Sequence, residues 1–342
     1  MQFSIVNQWN IYLNKIPVDK KDIYYTEEYT KLYESNEDTA LCVIGEDGED
    51  IILMPFLRRR IREYYDFETA YGYGGPITNS NSAEWINMAL SEMQVFFRNN
   101  GYICGFIRFH PLLENALFCK DCFRVINDRK TIAVDMKQSV AEIWKTQITS
   151  KNRNMIRKAE KNGLSYRAEY NFASILNFLE LYNRTMERLC ADEFYYFPEK
   201  YYKDFSNKLD GKSFLGVVLF EEKIVGAALF MYTEKFGHYH LAGSDRTNGS
   251  LGINNYLLWK TIEELSTKNI QEFHLGGGLT SLSDDSLFKF KKSFGNSERE
   301  FYIGKWIFDN KIYEDVCNEW EIQYPNLRDK YRNMLLKYRY RK

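Results

Sequence analysis

Lys291 is the residue of this sequence whose setting most suggests chemistry. It follows Leu287 and Phe290 and precedes Phe294, a spacing that predicts a short helix from about residue 285. These apolar side chains would anchor the helix and hold the lysine ammonium beside them. A cation held in this way can stabilise an oxyanion that develops on a carbonyl or a phosphate. By periodicity alone, a surface lysine is the commoner case, so both interpretations stay open.

Familiar catalytic and metal-binding patterns are missing from the sequence. It holds no G-x-x-x-x-G-K-[ST], H-E-x-x-H or G-x-S-x-G arrangement. His238 and His240 would share one face of a strand, but two ligands are too few for a zinc site, and structural histidines are commoner. Cys119 and Cys122 form a single C-x-x-C pair with no second pair near it. We therefore expect neither a bound metal nor a resident cofactor.

The segment before Lys291 predicts the elements that would position it. Residues 236–241 alternate like a strand, and residues 245–252 form a loop rich in Gly, Ser and Asn. Helical spacing follows over residues 253–265, and residues 271–275 predict a second strand that runs into three glycines. Strand, helix and strand in this order predict a parallel pair. Such pairs place loops, and often ligands, at the carboxyl ends of their strands.

One long basic helix is predicted between residues 139 and 163. From Lys145 to Lys161 the sequence has six basic residues and one acid. Arg153, Arg157 and Lys161 follow one another at intervals of four and would form a ridge. A charge run of this kind is often only a solvated face. The near absence of paired acids makes a phosphate-bearing partner an equally good interpretation.

Length and composition indicate a globular protein with more than one core. The chain has 342 residues, so two domains are expected. Its 46 Lys and Arg nearly balance its 47 Asp and Glu, so contact with nucleic acid would need a local patch. No apolar run approaches the roughly eighteen residues of a spanning helix, and the N-terminus lacks the regions of a signal peptide. With its scattered cysteines, the chain is expected to be cytoplasmic.

The first half of the chain predicts a mixed α/β unit with one unusual loop. Regular structure would not tolerate Tyr71-Gly-Tyr-Gly-Gly-Pro76, so its rings could line a site. The order of elements is loosely similar in the two halves, which suggests a duplicated α/β unit. We predict a first domain over residues 1–139, a second over 140–308 and a C-terminal helical segment over 309–342.

Five segments of the sequence carry a family resemblance. They are Asn152-Arg-Asn-Met-Ile-Arg-Lys-Ala-Glu-Lys-Asn-Gly163, Thr185-Met-Glu-Arg188, His240-Leu-Ala-Gly-Ser244, Leu275-Gly-Gly-Gly278 and Phe290-Lys291…Phe294-Gly295. Together they resemble the FemABX family, the peptidoglycan interpeptide-bridge aminoacyltransferases, over most of residues 140–308 and more weakly in the N-terminal half. The resemblance implies an α/β (α+β) fold of tandem GNAT-like domains with mixed central sheets flanked by helices. It also implies that the C-terminal helix returns to the first domain.

The same resemblance implies a reaction and its partners. Members of the family transfer an amino acid from aminoacyl-tRNA to the side-chain amine of a peptidoglycan stem peptide. Direct attack of an amine on an activated ester requires no covalent nucleophile, which agrees with the missing serine and cysteine motifs. The implied partners are aminoacyl-tRNA and a cell-wall precursor, with peripheral contact to the inner membrane face through a lipid-linked substrate.

Individual residues receive roles from the resemblance. Lys291 resembles the lysine that supports the transition-state oxyanion, and Tyr239 and His240 stand where the family lines its acceptor channel. Arg188 and Lys31 resemble residues that grip the precursor's phosphates. The implied substrate-binding positions are Lys31, Arg188, Tyr73, Gly276 and Gly277. The positions that would face tRNA phosphates are Arg153, Arg157, Lys158 and Lys161.

Two other functions stay open. The loop at residues 71–76 also resembles a branch described only as GNAT acyltransferases, which implies acylation of an amino sugar or small amine of surface polysaccharide, with acyl-CoA as donor. The usual GNAT pyrophosphate loop, Arg/Gln-x-x-Gly-x-Gly/Ala, has a near match in Arg246-Thr-Asn-Gly249-Ser-Leu251. Leu251 is expected to crowd a pyrophosphate at the following helix N-terminus. The second alternative is a non-catalytic RNA- or glycan-binding module on a retired transferase fold.

Overall fold

A computed structural model describes residues 1–245, 247 and 249–341. The chain folds into two compact units: unit 1 comprises Met1–Asp128 and Glu300–Lys342, and unit 2 comprises Arg129–Arg299. The units therefore change at 128/129 and 299/300, whereas we predicted boundaries at 139/140 and 308/309. Because both changes fall inside strands, no loop-like composition marks them in the sequence.

The helices and strands are numbered in chain order. The strands are β1 (Gln2–Val6), β2 (Asp38–Asp47), β3 (Asp50–Ile61), β4 (Tyr64–Glu68), β5 (Ile77–Thr78), β6 (Tyr102–Arg108), β7 (Val125–Asp135), β8 (Ser165–Glu169), β9 (Ser213–Phe220), β10 (Lys223–Tyr232), β11 (Phe236–Ser244), β12 (Glu272–Gly277) and β13 (Ser297–Ile307). The α-helices are α1 (Asn10–Leu13), α2 (Glu27–Thr30), α3 (Ala83–Asn99), α4 (Val140–Thr146), α5 (Ser150–Lys161), α6 (Ile175–Arg188), α7 (Glu199–Lys208), α8 (Ile253–Ser266), α9 (Ser286–Lys292), α10 (Asn310–Gln323) and α11 (Arg328–Tyr331). Among the described residues, none of these helices is both long and apolar enough to cross a membrane.

The sheet of unit 1 has the strand order β1-β2-β3-β4-β6-β13, with β5 beside β3. Its neighbouring strands are antiparallel except for β4 and β6, which are parallel. One core packs α3 on the sheet through the buried rings of Phe56, Phe67 and Phe97. A second core contains Trp320 of α10 and Cys104 of β6. The C-terminal segment therefore packs within unit 1.

The sheet of unit 2 repeats this arrangement with the order β8-β9-β10-β11-β12-β7. Again one neighbouring pair, β11 and β12, is parallel and the others are antiparallel. The core buries Ile156 of α5 and Leu257 of α8 with Phe214 and Phe230 of the sheet. The predicted α/β fold, with mixed sheets flanked by helices, is confirmed.

Two predicted helices are shorter in the structure than in the sequence pattern. The basic helix is interrupted between α4 and α5, where the buried Gln147 side chain donates to the carbonyl of Asp135 at 2.8 Å and accepts from its amide at 3.0 Å. This pairing joins the break to β7. The apolar residues predicted for one helix are therefore divided between α4 and α5. The C-terminal segment forms α10 and then the four-residue α11, because Pro325 cannot continue α10.

Candidate active site

The parallel ladder of unit 2 is short. β11 and β12 pair through Phe236–Glu272, Gly237–Phe273 and His238–His274, where the ladder ends. Beyond this point β11 continues beside β10 and β12 continues beside β7. The two strands therefore part towards their carboxyl ends, the region where ligands bind in open α/β sheets.

Lys291 of α9 is buried near the carboxyl end of β12. Its side chain is only 8% exposed, and its Nζ donates to the Gly277 carbonyl at 2.8 Å. The same Nζ lies 5.9 Å from the centroid of the Tyr239 ring. Burial lowers the pKa of Lys291 to about 8, against the opposing effect of the Asp285 carboxylate. The residue is thus a sequestered cation at neutral pH, and the surface-lysine interpretation is wrong.

The glycines before α9 allow neighbouring backbone segments to approach closely. Gly276 has a φ of +77°, which favours glycine over other residues. A Cβ on Gly277 would lie 3.0 Å from the carbonyl oxygen of Lys130. A larger residue at position 277 would therefore require a shift of its neighbours. Gly277 fits there and accepts a hydrogen bond from Lys291 through its carbonyl. Of the predicted positions, the structure groups Lys291, Gly277 and Tyr239.

A β-bulge separates the neighbouring residues Tyr239 and His240. On β10, Phe230 pairs with Tyr239 and Leu229 pairs with Leu241, so His240 is the extra residue. The Tyr239 ring stacks on Phe230, with centroids 5.6 Å apart. Tyr239 and His240 therefore face different neighbours, because the bulge turns the His240 ring towards α7, and the acceptor channel expected at these two residues stays a prediction.

His240 instead belongs to an aromatic cluster on α7. Its Nε2 lies 2.6 Å from the Tyr201 hydroxyl, and its ring stacks on Phe205 at 5.6 Å. Burial, with a smaller contribution from His238, lowers the pKa of His240 to about 3. An imidazole with this pKa is a weak base near neutral pH, so a proton-transfer role for His240 is disfavoured.

Arg153 has a structural role that its spacing did not suggest. Its guanidinium donates to the carbonyls of Trp144 at 3.2 Å and of Ile148, at the end of α4. These carbonyls lack partners within the helix, and a cation at a helix C-terminus is favoured. Arg153 therefore binds the end of α4 through Nη1, and its place in the phosphate-binding ridge stays a prediction.

The remaining cations of this region form what we call the basic surface. It consists of Lys145, Lys151, Arg157, Lys158 and Lys161. All five are exposed, and none forms an ion pair with another residue in the described part of the chain. The Arg157 guanidinium lies 5.4 Å from the Trp144 ring centroid, which orders it at the surface. The basic surface has the chemistry of a site for a polyanion.

The predicted phosphate-binding residues lie in different surroundings. Lys31 forms an ion pair with Glu27 at 2.9 Å, and Glu27 also accepts from the Asn10 amide at 2.7 Å. Its charge is therefore already compensated within unit 1. Arg188 is exposed at the end of α6, and its Nη1 lies 3.5 Å from the carbonyl oxygen of Ser244 on β11. Arg188 thus keeps a position from which it could reach an anion.

Tyr73 is part of a cluster of rings within unit 1. Its centroid lies 5.2 Å from that of Tyr24, 5.5 Å from His110 and 5.5 Å from Phe301. The loop is held by Gly72, whose φ is +92° and whose added Cβ would lie 2.5 Å from the Tyr24 ring. Tyr73 therefore packs among rings of which Tyr24 and His110 are buried, and its role in lining a site stays a prediction.

The N-terminus of α8 is the place where a pyrophosphate could bind. The N-cap of the helix is Gly252, which has a φ of +76° and no side chain with which to cap the first turn. Leu251 packs against the core of unit 2, so the predicted crowding by its side chain is not supported. Arg246 and Asn248 of the near-match loop lie outside the described residues.

Sequence reasoning missed Asp285, Tyr201 and Phe205. Asp285 could have been found, because an aspartate directly before a helical pattern predicts an N-cap. Its Oδ1 accepts from the Phe288 amide at 2.9 Å. Tyr201 and Phe205 lie on α7, a helix that was not predicted.

Comparison with known proteins gives one family match. Residues 149–291 match the family model of the acetyltransferase (GNAT) domain. This range includes the end of the parallel ladder, the basic helix α5 and Lys291. No curated protein sequence matches the chain.

Solved structures give matches across almost the whole chain. A crystal structure of FemX is similar at a TM-score of 0.69 and 14% identity, covering 92% of this chain and 99% of that one. The C-terminal domain of a putative lysylphosphatidylglycerol synthetase from Agrobacterium fabrum has a TM-score of 0.56 and 14% identity, with coverages of 84% and 89%. A tandem GNAT protein from the clavulanic acid biosynthesis pathway has a TM-score of 0.52 and 7% identity, with coverages of 89% and 98%. Identities this low show a shared fold.

Proposed function

We propose that this chain, an acyltransferase with a FemABX-like fold and a GNAT domain at residues 149–291, transfers an aminoacyl group from aminoacyl-tRNA to an amine of a peptidoglycan precursor. The amine nitrogen attacks the ester carbonyl and forms the new C–N bond. The ester C–O bond then breaks, the ribose oxygen leaves, and the proton lost by the amine ends on that oxygen or on water. No covalent enzyme intermediate is needed, so the missing nucleophile motifs are consistent with this reaction.

Lys291 supports the chemical step of this proposal. The attack converts a neutral carbonyl into an oxyanion, and a buried ammonium stabilises that charge better than water-exposed cations do. The hydrogen bond to the Gly277 carbonyl fixes the direction of Nζ without neutralising it. Tyr239 covers the ammonium with its ring at 5.9 Å. Lys291 is proposed as the catalytic residue.

The observation that carries the choice of donor is the basic surface. Five exposed cations without an ion pair among the described residues lie within seventeen positions of the chain, from Lys145 to Lys161. By contrast, the exposed Lys200 and Lys203 on α7 are paired with acids. An unpaired cluster loses little on binding phosphates and releases their counterions, which favours an RNA donor.

The acceptor is proposed from the residues that remain. Arg188 would hold a phosphate of the cell-wall precursor from the end of α6. A lipid-linked precursor would bring the protein into peripheral contact with the inner membrane face from the cytoplasm. One structural neighbour, the putative lysylphosphatidylglycerol synthetase, is itself named for a lysylated lipid.

Binding of aminoacyl-tRNA tests the donor. The triple variant Arg157→Ala, Lys158→Ala, Lys161→Ala removes three cations, so the slope of log K against log salt should become shallower by about two to three. The matched control is Lys200→Ala, Lys203→Ala, whose cations already have partners, and it should bind like the wild type. Affinity and salt slope that are unchanged in the triple variant would contradict the tRNA donor.

An acyl-CoA donor is the second candidate, favoured by the N-terminus of α8. The uncapped first turn after Gly252 offers backbone amides for a pyrophosphate, and Leu251 packs away into the core. The acceptor would then be an amino sugar or a small amine. Acetyl-CoA at a hundred times its Kd should raise the melting temperature, since it binds only the folded state. Loss of transfer after RNase treatment, with no thermal shift by acetyl-CoA, would reject this candidate.

A further inference from the structure

The turn between β12 and α9 is held together by one carboxylate. Oδ2 of Asp285 accepts from the amides of Leu279 at 3.1 Å and Thr280 at 3.0 Å, and from the Thr280 hydroxyl at 3.1 Å. Oδ1 accepts from the amide of Phe288 in the first turn of α9 at 2.9 Å. One side chain therefore joins the segment after β12 to the helix that carries Lys291.

Gly278 has the shape that this contact requires. A Cβ at position 278 would lie 2.4 Å from Oδ1 of Asp285 and 2.6 Å from its Cγ. Real Cβ atoms do not approach oxygen this closely, so either the carboxylate or the backbone would have to move. The third glycine of the triplet therefore makes room for Asp285, whereas Gly277 presents its carbonyl to Lys291.

A cation holds the other edge of the same turn. Nη1 of Arg129, on β7, donates to the carbonyls of Gly278 at 3.1 Å and Leu279 at 3.0 Å. Three successive carbonyls, from Gly277 to Leu279, thus accept from Lys291 or Arg129, while the following amides donate to Asp285. The backbone of the turn is fixed from both sides.

We infer that Asp285 is a positioning residue for acyl transfer, which fixes the Lys291 ammonium at the end of β12 by tying the Gly277–Thr280 segment to α9. The inference rests on the proposed role of Lys291 as the catalytic cation. Asp285 acts in two ways: it sets the geometry of the turn, and its negative charge keeps Lys291 protonated. A loss of that charge leaves the burial of Lys291 unopposed.

Few charged groups act on Lys291. Asp285, before α9, is the carboxylate whose charge favours the ammonium form. Tyr239, on β11, faces it with its ring, and its own pKa is raised by burial, so its hydroxyl stays neutral. Lys292, beside it on α9, is exposed and paired with Glu298. The pKa of Lys291 should therefore respond to Asp285 more than to its other neighbours.

The test combines a titration with a transfer assay. In Asp285→Asn and in Asp285→Ser, which keeps an N-cap acceptor, the pKa of Lys291 should fall by roughly one pH unit in an NMR titration of ¹³C-labelled lysines, with the resonance assigned by Lys291→Arg. The transfer rate, measured with the donor that the wild type uses, should fall roughly tenfold or more while the donor's KM stays constant. The matched control is Asp309→Asn, because Asp309 caps α10 through the Ile312 amide at 3.0 Å in unit 1.

Each result decides a different question. A Lys291 pKa that is the same in wild type and in a folded Asp285 variant overturns the inference, and so does a transfer rate that matches the wild type. An equal shift in Asp309→Asn also overturns it, because the effect would then be a general loss of stability. Failure of the wild type to use aminoacyl-tRNA refutes the proposed donor instead, and the titration, which needs no donor, still decides whether Asp285 holds Lys291.

Discussion

In unit 1 the parallel strands β4 and β6 stay joined beyond their ladder, whereas in unit 2 the equivalent strands β11 and β12 part after three residue pairs. The Thr69 amide donates to the Phe106 carbonyl at 3.0 Å, and the Gly74 amide donates to the Arg108 carbonyl at 2.7 Å. Each sheet has five strands in chain order, a sixth strand beside the fifth and a single parallel pair, and the two sheets differ at this position. Hydrogen bonds from the chain after β4 close this position in unit 1, and we propose that the parted strands of unit 2 leave room for a ligand.

Polar side chains fill the corresponding position in unit 1. Nε2 of His110 lies 2.8 Å from Oδ2 of Asp22, and both side chains are buried. Because the Leu113 amide donates to Nδ1 of His110, the ring proton lies on Nε2 and points at the carboxylate. The side-chain Nδ2 of Asn115 donates to the Gly74 and Pro76 carbonyls at 2.8 and 3.0 Å. In unit 1 the polar groups are used to hold the loop.

In unit 2 the corresponding position holds a buried cation. Lys291 donates to the Gly277 carbonyl at 2.8 Å, and the carboxylate whose charge favours its ammonium form, Asp285, accepts from backbone amides. A charge in this setting costs stability, which a purely structural residue would not require. The comparison therefore supports the proposal that Lys291 serves in the chemistry, whereas the paired polar groups of unit 1 serve stability.

The largest effect on stability should come from removing the carboxylate that pairs with His110 in unit 1. Asp22→Ala leaves the buried imidazole of His110 without its carboxylate, and we expect the free energy of unfolding to fall by about 3 kcal/mol. Asp22→Asn keeps an acceptor for the Nε2 proton and should lose less. Urea denaturation of both variants measures the difference, and equal stabilities for Asp22→Ala and the wild type would contradict this account of unit 1.

The buried Lys291 of unit 2 should make the stability of the protein depend on pH. The pKa of Lys291 is about 8 in the folded chain and 10.5 as its model value, so the unfolded state binds more protons between these two values. Stability should therefore rise with pH from about 8 to 10.5, by about 3 kcal/mol in total. Lys291→Met removes the titrating group and should lack this rise in the difference from the wild type. A pH dependence shared by both proteins would show that Lys291 is not a buried cation.

The smallest effect separates two arginines of the same helix. Arg153→Ala removes hydrogen bonds to the end of α4 and should cost about 1 kcal/mol of stability. Arg157→Ala loses a contact with the half-buried Trp144 ring and a 3.4 Å hydrogen bond to Asn154, but its own side chain is exposed, so its stability should stay within about 0.5 kcal/mol of the wild type. Affinity for tRNA should show the reverse order. A weaker tRNA affinity and an unchanged melting temperature in Arg153→Ala would reject the structural role given to Arg153.

Much of the fold followed from patterns that depend on neighbours in the chain. The helical spacing from residue 253 and the apolar spacing around Lys291 predicted α8 and α9 closely, because apolar periodicity is a local signal. The parallel pairing of β11 and β12 followed from the order strand, helix, strand. These elements position Lys291, so its place at the end of β12 was predictable from the sequence.

The burial and grouping of side chains could not be predicted in this way. The segment around His240 alternates like a regular strand, and only its register against β10 shows the bulge that parts it from Tyr239. The helix α7 is rich in charge, yet it buries Tyr201, Tyr202 and Phe205. The spacing of the basic ridge did not show that Arg153 donates to a carbonyl at the end of α4. Each of these outcomes depends on residues distant in the chain.

The most direct test of the central claim is the single-turnover rate of acyl transfer by Lys291→Ala. Lys292→Ala is the matched control, because its side chain is on the same helix, exposed and paired with Glu298. We predict that Lys291→Ala loses about 100-fold or more in rate while remaining folded, and that Lys292→Ala transfers like the wild type. A folded Lys291→Ala that transfers at the wild-type rate would contradict the claim that this buried ammonium stabilises the oxyanion.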